Sequence, residues 1–337
     1  MASLKKPIYK IQIIPKGSRK YYDVSGATIE CTLTDAEEGF SYMAEIKMVN
    51  VKCEGKRIQK LIDIRSIVRI YVNTSKSEEA SNDKLVFYGV VWQKNSMDEK
   101  ENTFTLTCYD NLIYLQKSEG SKFFKKNKKT KTIIKSICKS WNLPLKYSYV
   151  SVKHPKYRMS GDYSSFILET VMGKARRKTG IRGVVRSDKG VIKVMKEGSN
   201  KSFYTLSNDT NIISNELVET MEDVVTKVLI TGVKKRKGKK SSKTKIAVRG
   251  NTKKWGTIQK VEDKGDRKLS VAKKEAKRIL KDQGHPQVRR KITAYDIPFI
   301  RKGDRVQIND VMWIVKTITH NFHDRTMELE VAKGNNG

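Results

Sequence analysis

Few side chains in this sequence have the type and spacing that catalysis or metal binding requires. His320 and His323 lie three residues apart, but within an alternating strand and turn they would not share one face. Asp110 follows Tyr109 at the end of a strand-like run, and Asp162 stands just before a helical one. Aspartates at such places usually cap a turn or a helix. The sequence therefore predicts no catalytic residue, no metal site and no cofactor.

Motifs of the common enzyme classes do not occur. The 337 residues contain no GxSxG, HExxH, P-loop or GxGxxG pattern. No two carboxylates stand out as the pair that a cell-wall hydrolase needs. The four cysteines are widely separated and form no CxxC pair: Cys31, Cys53, Cys108 and Cys138. Their apolar contexts predict small buried side chains in a reducing compartment, and the whole pattern favours a protein that is not an enzyme.

Positive charge is the most unusual feature of the composition. Seventy Lys and Arg stand against 36 Asp and Glu, which gives a formal net charge of +34. Residues 117–158 contain thirteen basic residues and one acid, and residues 234–254 contain eleven and no acid. A field of this strength attracts a polyanion, an acidic protein or an anionic membrane surface.

The two basic runs define a candidate basic partner surface. Its members are Lys125, Lys126, Lys128, Lys129, Lys131, Lys234, Lys235, Arg236 and Lys237. Phe123 and Phe124 lie beside the first run and could stack on bases. Lys outnumbers Arg, which argues against reading base edges, since Arg makes the bidentate contacts. The runs are therefore interpreted as a solvated surface, as a site for an acidic protein, or as a nonspecific nucleic-acid site, which is the alternative function.

The elements that hold these residues fall into three predicted regions. Residues 1–115 alternate apolar and polar side chains with period two, which predicts a small β-barrel. Residues 116–215 predict an α+β insert with helices over 130–141 and 164–179 and a hairpin around 188–190. Residues 216–337 predict a second β-barrel with one helix over 270–283. The fold class is thus α+β and mainly β, with two small β-barrel domains separated by the insert.

Within the third region the expectations are more detailed. A strand is predicted over 224–231 and a Lys-rich loop over 234–245, and residues 245–249 and 257–262 are expected to pair as a hairpin. Four further strands are predicted, over 288–295, 305–308, 312–318 and 326–331. The chain has no apolar run of about 18 residues that could span a bilayer, and no signal peptide is visible at Met1 to Lys6.

Ordered motifs lie in the first and third regions. The third region contains Ala272 to Leu280, Gly303-Asp304-Arg305-Val306, Trp313-Ile314-Val315, His320-Asn321-Phe322 and Thr326-Met327-Glu328-Leu329. The first contains Val86-Phe87-Tyr88-Gly89-Val90-Val91 and the run from Thr105 to Leu115. In this order the motifs resemble the tail-hub proteins, the late-control protein D family of contractile phages, prophage-like elements and R-type bacteriocins.

The resemblance implies a structural baseplate hub. A homotrimer would place two barrels per chain in a pseudo-sixfold ring, joining the tail tube protein to the spike protein beside other baseplate proteins. Assembly is expected in the bacterial cytoplasm, with the chain ending in a phage tail or tail-like particle. The candidate subunit interface comprises Val86, Tyr88, Val90, Val306, Ile308, Trp313 and Val315. The heavy basic charge and residues 234–254 have no counterpart in the family's pattern.

Overall fold

The computed structural model describes residues 7–74, 82–96, 102–236, 239–265 and 268–333. The described part of the first region contains nine strands, a 3₁₀ turn (Ser25–Ala27) and a short helix α1 (Ile58–Leu61). The strands are β1 (Ile8–Ile14), β2 (Tyr22–Asp23), β3 (Thr28–Asp35), β4 (Met43–Val49), β5 (Lys52–Cys53), β6 (Lys56–Arg57), β7 (Ile67–Asn73), β8 (Lys84–Ser96) and β9 (Thr103–Tyr109). Alternate side chains of the longer strands form one apolar core, as the period-two pattern predicts.

The insert contains the two predicted helices and the predicted hairpin. Its elements are α2 (Ile113–Gln116), β10 (Glu119–Phe124), α3 (Thr130–Ser140), β11 (Leu145–Tyr147), β12 (Tyr157–Asp162), α4 (Tyr163–Ser165), a π-helical segment (Phe166–Met172), α5 (Gly173–Thr179), β13 (Gly183–Asp188) and β14 (Val191–Lys196). Helical structure runs without a break through 163–179 and ends at Gly180, which is left-handed with φ of 80°. These predictions are confirmed, and the insert has its own apolar core.

The third region contains β15 (Thr205–Leu206), β16 (Ile212–Thr220), β17 (Lys227–Arg236), β18 (Lys239–Arg249), α6 (Thr252–Trp255), β19 (Gln259–Asp263), α7 (Leu269–Gln283), β20 (Gln287–Tyr295), β21 (Arg305–Ile308), β22 (Val311–Asn321) and β23 (Thr326–Lys333). The helix over 270–283 and the closing strand meander are confirmed. Gly303 has a φ of 83° in the turn before β21, which is the geometry that glycine adopts readily.

Two expectations about residues 234–262 are wrong. The Lys-rich segment is not a loop, because β17 and β18 pair as a long antiparallel hairpin from Lys227↔Arg249 to Arg236↔Lys239. Residues 259–263 do not pair with β18 but lie parallel to β17 on its other side. Helix α6 separates β18 from β19, and Thr226 Oγ1 accepts a hydrogen bond from Ile258 N at 2.8 Å, which fixes β19 against β17.

One large sheet connects the first and third regions. Its strand order is β16-β20-β23-β22-β3-β4-β9-β8-β7-β1-β2. Off this path, β21 pairs with β22 and β15 pairs with β21. The junction is the antiparallel pairing of β22 with β3, from Ile318↔Asp35 to Asn321↔Thr32. The mainly β, α+β class is confirmed. Among the strand pairings of the described ranges the path stays open, and no closed barrel is found.

Candidate assembly surfaces

The residues assigned to a subunit interface lie on two stretches of strand. Val306, Ile308, Trp313 and Val315 are almost fully buried in the chain's own C-terminal core. Val86, Tyr88 and Val90 are partly buried on β8, where residues 84–90 pair with β7 and residues from Val90 onward pair with β9. Their assignment to an interface therefore stays a prediction.

The first basic run forms an exposed surface on the insert. Lys125, Lys126, Lys128, Lys129 and Lys131 are all exposed, in the turn from β10 to the first residues of α3. Phe123 beside them is 58% exposed, whereas Phe124 is buried and stacks on Phe166. One exposed ring and five ammonium groups on one turn would attract an anionic partner.

The second basic run lies far along the chain, at the outer end of the β17–β18 hairpin. The backbones of Lys234, Lys235 and Arg236 belong to β17. Lys237 lies outside the described residues. Whether either run contacts a partner stays a prediction.

The acidic and histidine side chains considered for chemistry lie in a helix cap, in turns or in the buried core. Asp162 Oδ1 accepts a hydrogen bond from Ser165 N at 2.7 Å and caps the helical segment. Asp110 Oδ1 accepts from Leu112 N at 2.9 Å in a buried turn, where burial raises the pKa of the carboxyl to about 7. His323 is exposed in the turn after β22, whereas His320 is fully buried. The turn and cap interpretations are confirmed.

His320 belongs to a buried polar group that joins the two ends of the chain. Its Nδ1 lies 2.6 Å from Asp296 Oδ1, and its Nε2 lies 3.0 Å from Ile300 O. The hydroxyl of Tyr9, on β1, donates to the other Asp296 oxygen, and the Tyr9 ring stacks on Phe322. Burial and the Asp296 carboxylate raise the pKa of Tyr9. Because His320 is buried and both ring nitrogens face acceptors, this group resembles a structural bridge rather than a catalytic centre.

A second buried polar group joins all three regions. Arg301 Nε donates to Asp35 Oδ2 at 2.8 Å, and the guanidinium carbon lies 3.6 Å from the centre of the Tyr42 ring. Burial alone would raise the pKa of the Asp35 carboxyl, but the Arg301 and Lys302 charges lower it to about 2. On the same turn Asp304 accepts from Arg186 of the insert at 2.9 Å. Charged pairs thus fix the insert hairpin and the β20–β21 turn against the end of β3.

Helices α5 and α7 carry a third set of ion pairs. Lys174 and Glu275, each about 5% exposed, lie 3.0 Å apart. Arg176 on α5 and Arg182, which follows that helix, both contact Asp282 on α7. Since these contacts cross about a hundred residues of sequence, they dock the insert on the helix of the third region.

The comparison with protein-family models decides the family. The YQBQ-like model matches residues 41–332, which is most of the chain and extends from within the first region into the third. The chain belongs to the YQBQ-like family. No curated protein matches it.

Solved structures share the fold of this YQBQ-like chain over nearly its full length. The 43 kDa tail protein of prophage MuSo2 from Shewanella oneidensis is 14% identical, with a TM-score of 0.64 over 96% of this chain and 98% of that chain. A tail protein from Neisseria meningitidis MC58 is 11% identical, with a TM-score of 0.66 over 96% of each.

A third structure is the E. coli c3393 protein, described as a type VI secretion system component similar to the T4 tail proteins gp27 and gp5. It is 10% identical, with a TM-score of 0.56 over 97% of this chain and 77% of that chain. The resemblance to tail and baseplate proteins is therefore confirmed as a shared fold.

Sequence reasoning missed the buried groups around Arg301 and His320 of this YQBQ-like chain. One signal was present: Asp35 ends an apolar alternating strand, and Arg301 and Lys302 follow the apolar segment Pro298-Phe299-Ile300. Charges in such contexts are often paired when buried. Their partners lie in other regions of the chain and have no local signature.

Across the described residues, none of the helices combines the length and the hydrophobicity that crossing a membrane requires.

Proposed function

We propose that this chain is a structural tail hub, three copies of which form a ring that joins a tail tube to a central spike. The observation that carries the proposal is the likeness to the Shewanella tail protein, which extends over 96% of this chain and 98% of that chain. The description of the c3393 protein as similar to gp27 and gp5 adds support from a second kind of particle.

The distribution of the cores supports two barrel-like units. Strands β1, β3, β4, β7, β8 and β9 surround one apolar core, and β20 to β23 surround another. A barrel is a sheet that closes around its own core, so strands that share one core are compatible with a barrel-like unit. We assign residues 1–115 and 216–337 to these units and 116–215 to the insert, although β16 extends across the boundary at 215/216.

The role is assigned as non-enzymatic. In the Tyr9–Asp296–His320 group the histidine is fully buried, and its two ring nitrogens face Asp296 and the backbone oxygen of Ile300, which supports a structural role. The proposed partners are further copies of the chain, the tail tube protein, the spike protein and other baseplate proteins. Assembly is proposed to occur in the bacterial cytoplasm, where the thiols stay reduced: the four cysteines of this chain are free.

A second candidate function is nonspecific nucleic-acid binding. The five exposed lysines from the turn after β10 to the first residues of α3 favour it, together with the exposed ring of Phe123. Such binding depends on released counterions and falls steeply with salt. The same lysines could bind nucleic acid nonspecifically and also contact another anionic partner in the particle.

Co-expression with the neighbouring tail genes tests the hub. Particles or subcomplexes would be purified and imaged by electron cryomicroscopy at the junction of tube and spike, with native mass spectrometry of the same sample. We expect three copies in a ring. A chain that stays monomeric when tube and spike proteins are both present would contradict the proposal.

A further inference from the structure

Within the described ranges, the large sheet ends in two strands that each have a neighbour on one side. At one end, β16 pairs with β20 alone among the described strands, over Ile212 to Thr220. Nine strand residues present about 30 Å of backbone at that edge. At the other end, the described pairing of β2 with β1 extends over Gln12 and Ile13 of β1. Unpaired edges of this length are usually shielded or used for association.

The β16 edge carries apolar side chains that a free surface strand rarely presents. Leu217 is 60% exposed, Ile213 is 54% exposed, and Met221 just beyond the strand is 39% exposed. Large exposed apolar groups along an open edge favour pairing with another chain. The opposite end of the sheet also exposes apolar groups, with Tyr21 at 53% and Ile8 at 40%.

Charge distinguishes the two ends. Residues 202–226 contain five acids and no Lys or Arg, although the whole chain has a net charge of +34. Among the described residues at the other end, 7–22 contain four Lys or Arg and no acid, and the exposed Asp23 ends β2. The acidic edge thus belongs to an otherwise strongly basic chain, and the strand path ends in opposite charge at its two limits.

Nearby cations offset part of the negative charge at the β16 edge. Arg289 binds Asp223 at 3.2 Å, and Lys291 lies across from Glu216 in the strand pairing. Glu219 lies opposite Val288 and is exposed, and Glu222 is exposed in the turn that follows.

The basic end has charges of its own that project into solvent. Lys20 is paired with Glu54, whereas Lys16 and Arg19 lie exposed in the turn between β1 and β2. The two ends therefore offer complementary pairs, Glu219 and Glu222 against Lys16 and Arg19.

We infer that the β16 edge of one copy docks on the β1–β2 end of a second copy of this chain. The occupant is a second copy because the complementary charge and the second open edge belong to the same chain. A contact between two different surfaces of identical subunits repeats head to tail, and it closes into a ring when the rotation per subunit allows. This inference rests on the proposed homotrimer and names the surfaces that would form it.

Charge reversal tests this docking. One variant carries Glu219→Lys and Glu222→Lys, a second carries Lys16→Glu and Arg19→Glu, and a third carries all four changes in one chain. A control, Glu30→Lys with Glu328→Lys, makes the same change in net charge as the first variant at exposed sites on strands flanked on both sides. Each chain is co-expressed with the tube and spike proteins, and the trimer fraction is measured by native mass spectrometry.

We expect each two-residue reversal to lower the trimer fraction at least tenfold, and the four-residue variant to restore it, because the charges at the interface are then exchanged. The control should match the wild type. If both two-residue reversals keep the trimer fraction of the wild type, this interface is wrong, whereas the proposed homotrimer is unaffected. A wild type that forms no trimer with its partners would contradict the proposed function itself, and this interface with it.

Discussion

Arg301 on the turn before β21 and Asp35 at the end of β3 form a buried ion pair across 266 residues of sequence, with Nε 2.8 Å from Oδ2. Asp35 is 2% exposed, and Lys302 lies 3.3 Å from its other oxygen. The pair stands beside the β3–β22 junction, so it holds the first and third regions in one fixed relation.

Replacing Arg301 by Met should destabilise the chain by about 3 kcal/mol, because a buried carboxylate would be left without its main partner. Lys302 would still compensate in part, which places the effect at the lower end of the usual range. Urea unfolding of the full chain measures it. The double variant Asp35→Asn with Arg301→Met should be destabilised less than the single variant, since the buried carboxylate is then gone and Lys302 keeps its hydrogen bonds to Ala36 O and Gly39 O. Equal destabilisation would argue against the pair.

Asp110 predicts an unusual pH dependence. Burial raises the pKa of its carboxyl to about 7, above its ordinary value of 3.8. Between these two pH values the folded chain therefore holds a proton that the unfolded chain has released. The stability contributed by this group is present below about pH 4 and is lost as pH rises through 7. Asp110→Asn should therefore gain about 2–3 kcal/mol relative to the wild type between about pH 5 and pH 8.

The measurement is urea unfolding at both pH values, with the exposed Asp63→Asn as the control. The control should show the wild-type pH dependence. If Asp110→Asn also follows the wild type, the carboxyl is ionised across this range, and the turn must accommodate its charge.

The nucleic-acid alternative predicts a particular salt response. Replacing Lys125, Lys126, Lys128 and Lys129 by Gln should reduce the slope of log affinity against log salt by up to about 0.9 for each phosphate that is no longer neutralised. Four exposed lysines on α7, at 273, 274, 277 and 281, provide a matched control with the same change in charge. Fluorescence anisotropy with duplex DNA from about 50 to about 200 mM salt gives both slopes.

For a structural hub we expect weak DNA binding that disappears near about 200 mM salt and that both sets of substitutions reduce equally. Tight binding at that salt concentration that only the first set abolishes would favour the alternative function.

Local patterns in the sequence were sufficient for much of the fold. The helix over 270–283 and the hairpin at 188–190 depend on contacts between residues close in sequence, where periodicity and turn residues are informative. The parallel placement of β19 and the pairing of β22 with β3 connect distant segments, and no local pattern encodes them. The Arg301–Asp35 pair could not be predicted either, because its members are 266 residues apart. The exposure of the lysines at 125–131, in contrast, follows from composition alone.

Gly89 shows why a glycine stands in the Phe87-Tyr88-Gly89-Val90-Val91 motif. It lies where β8 changes its neighbour from β7 to β9. A Cβ at this position would overlap the backbone oxygen of Tyr109 and would lie 2.7 Å from Phe87 Cζ. Backbone cannot yield as a flexible side chain does, so a methyl group here must push two paired strands apart.

Gly89→Ala should therefore lower the free energy of unfolding by about 2–3 kcal/mol, as overpacked cores do. Gly26→Ala is the matched control, because a Cβ there meets nothing within 4 Å. Urea unfolding of both variants compares them directly. Equal stabilities would mean that β9 shifts freely at Tyr109, and the glycine would then be explained by the ease of bending β8 rather than by close approach of the strands.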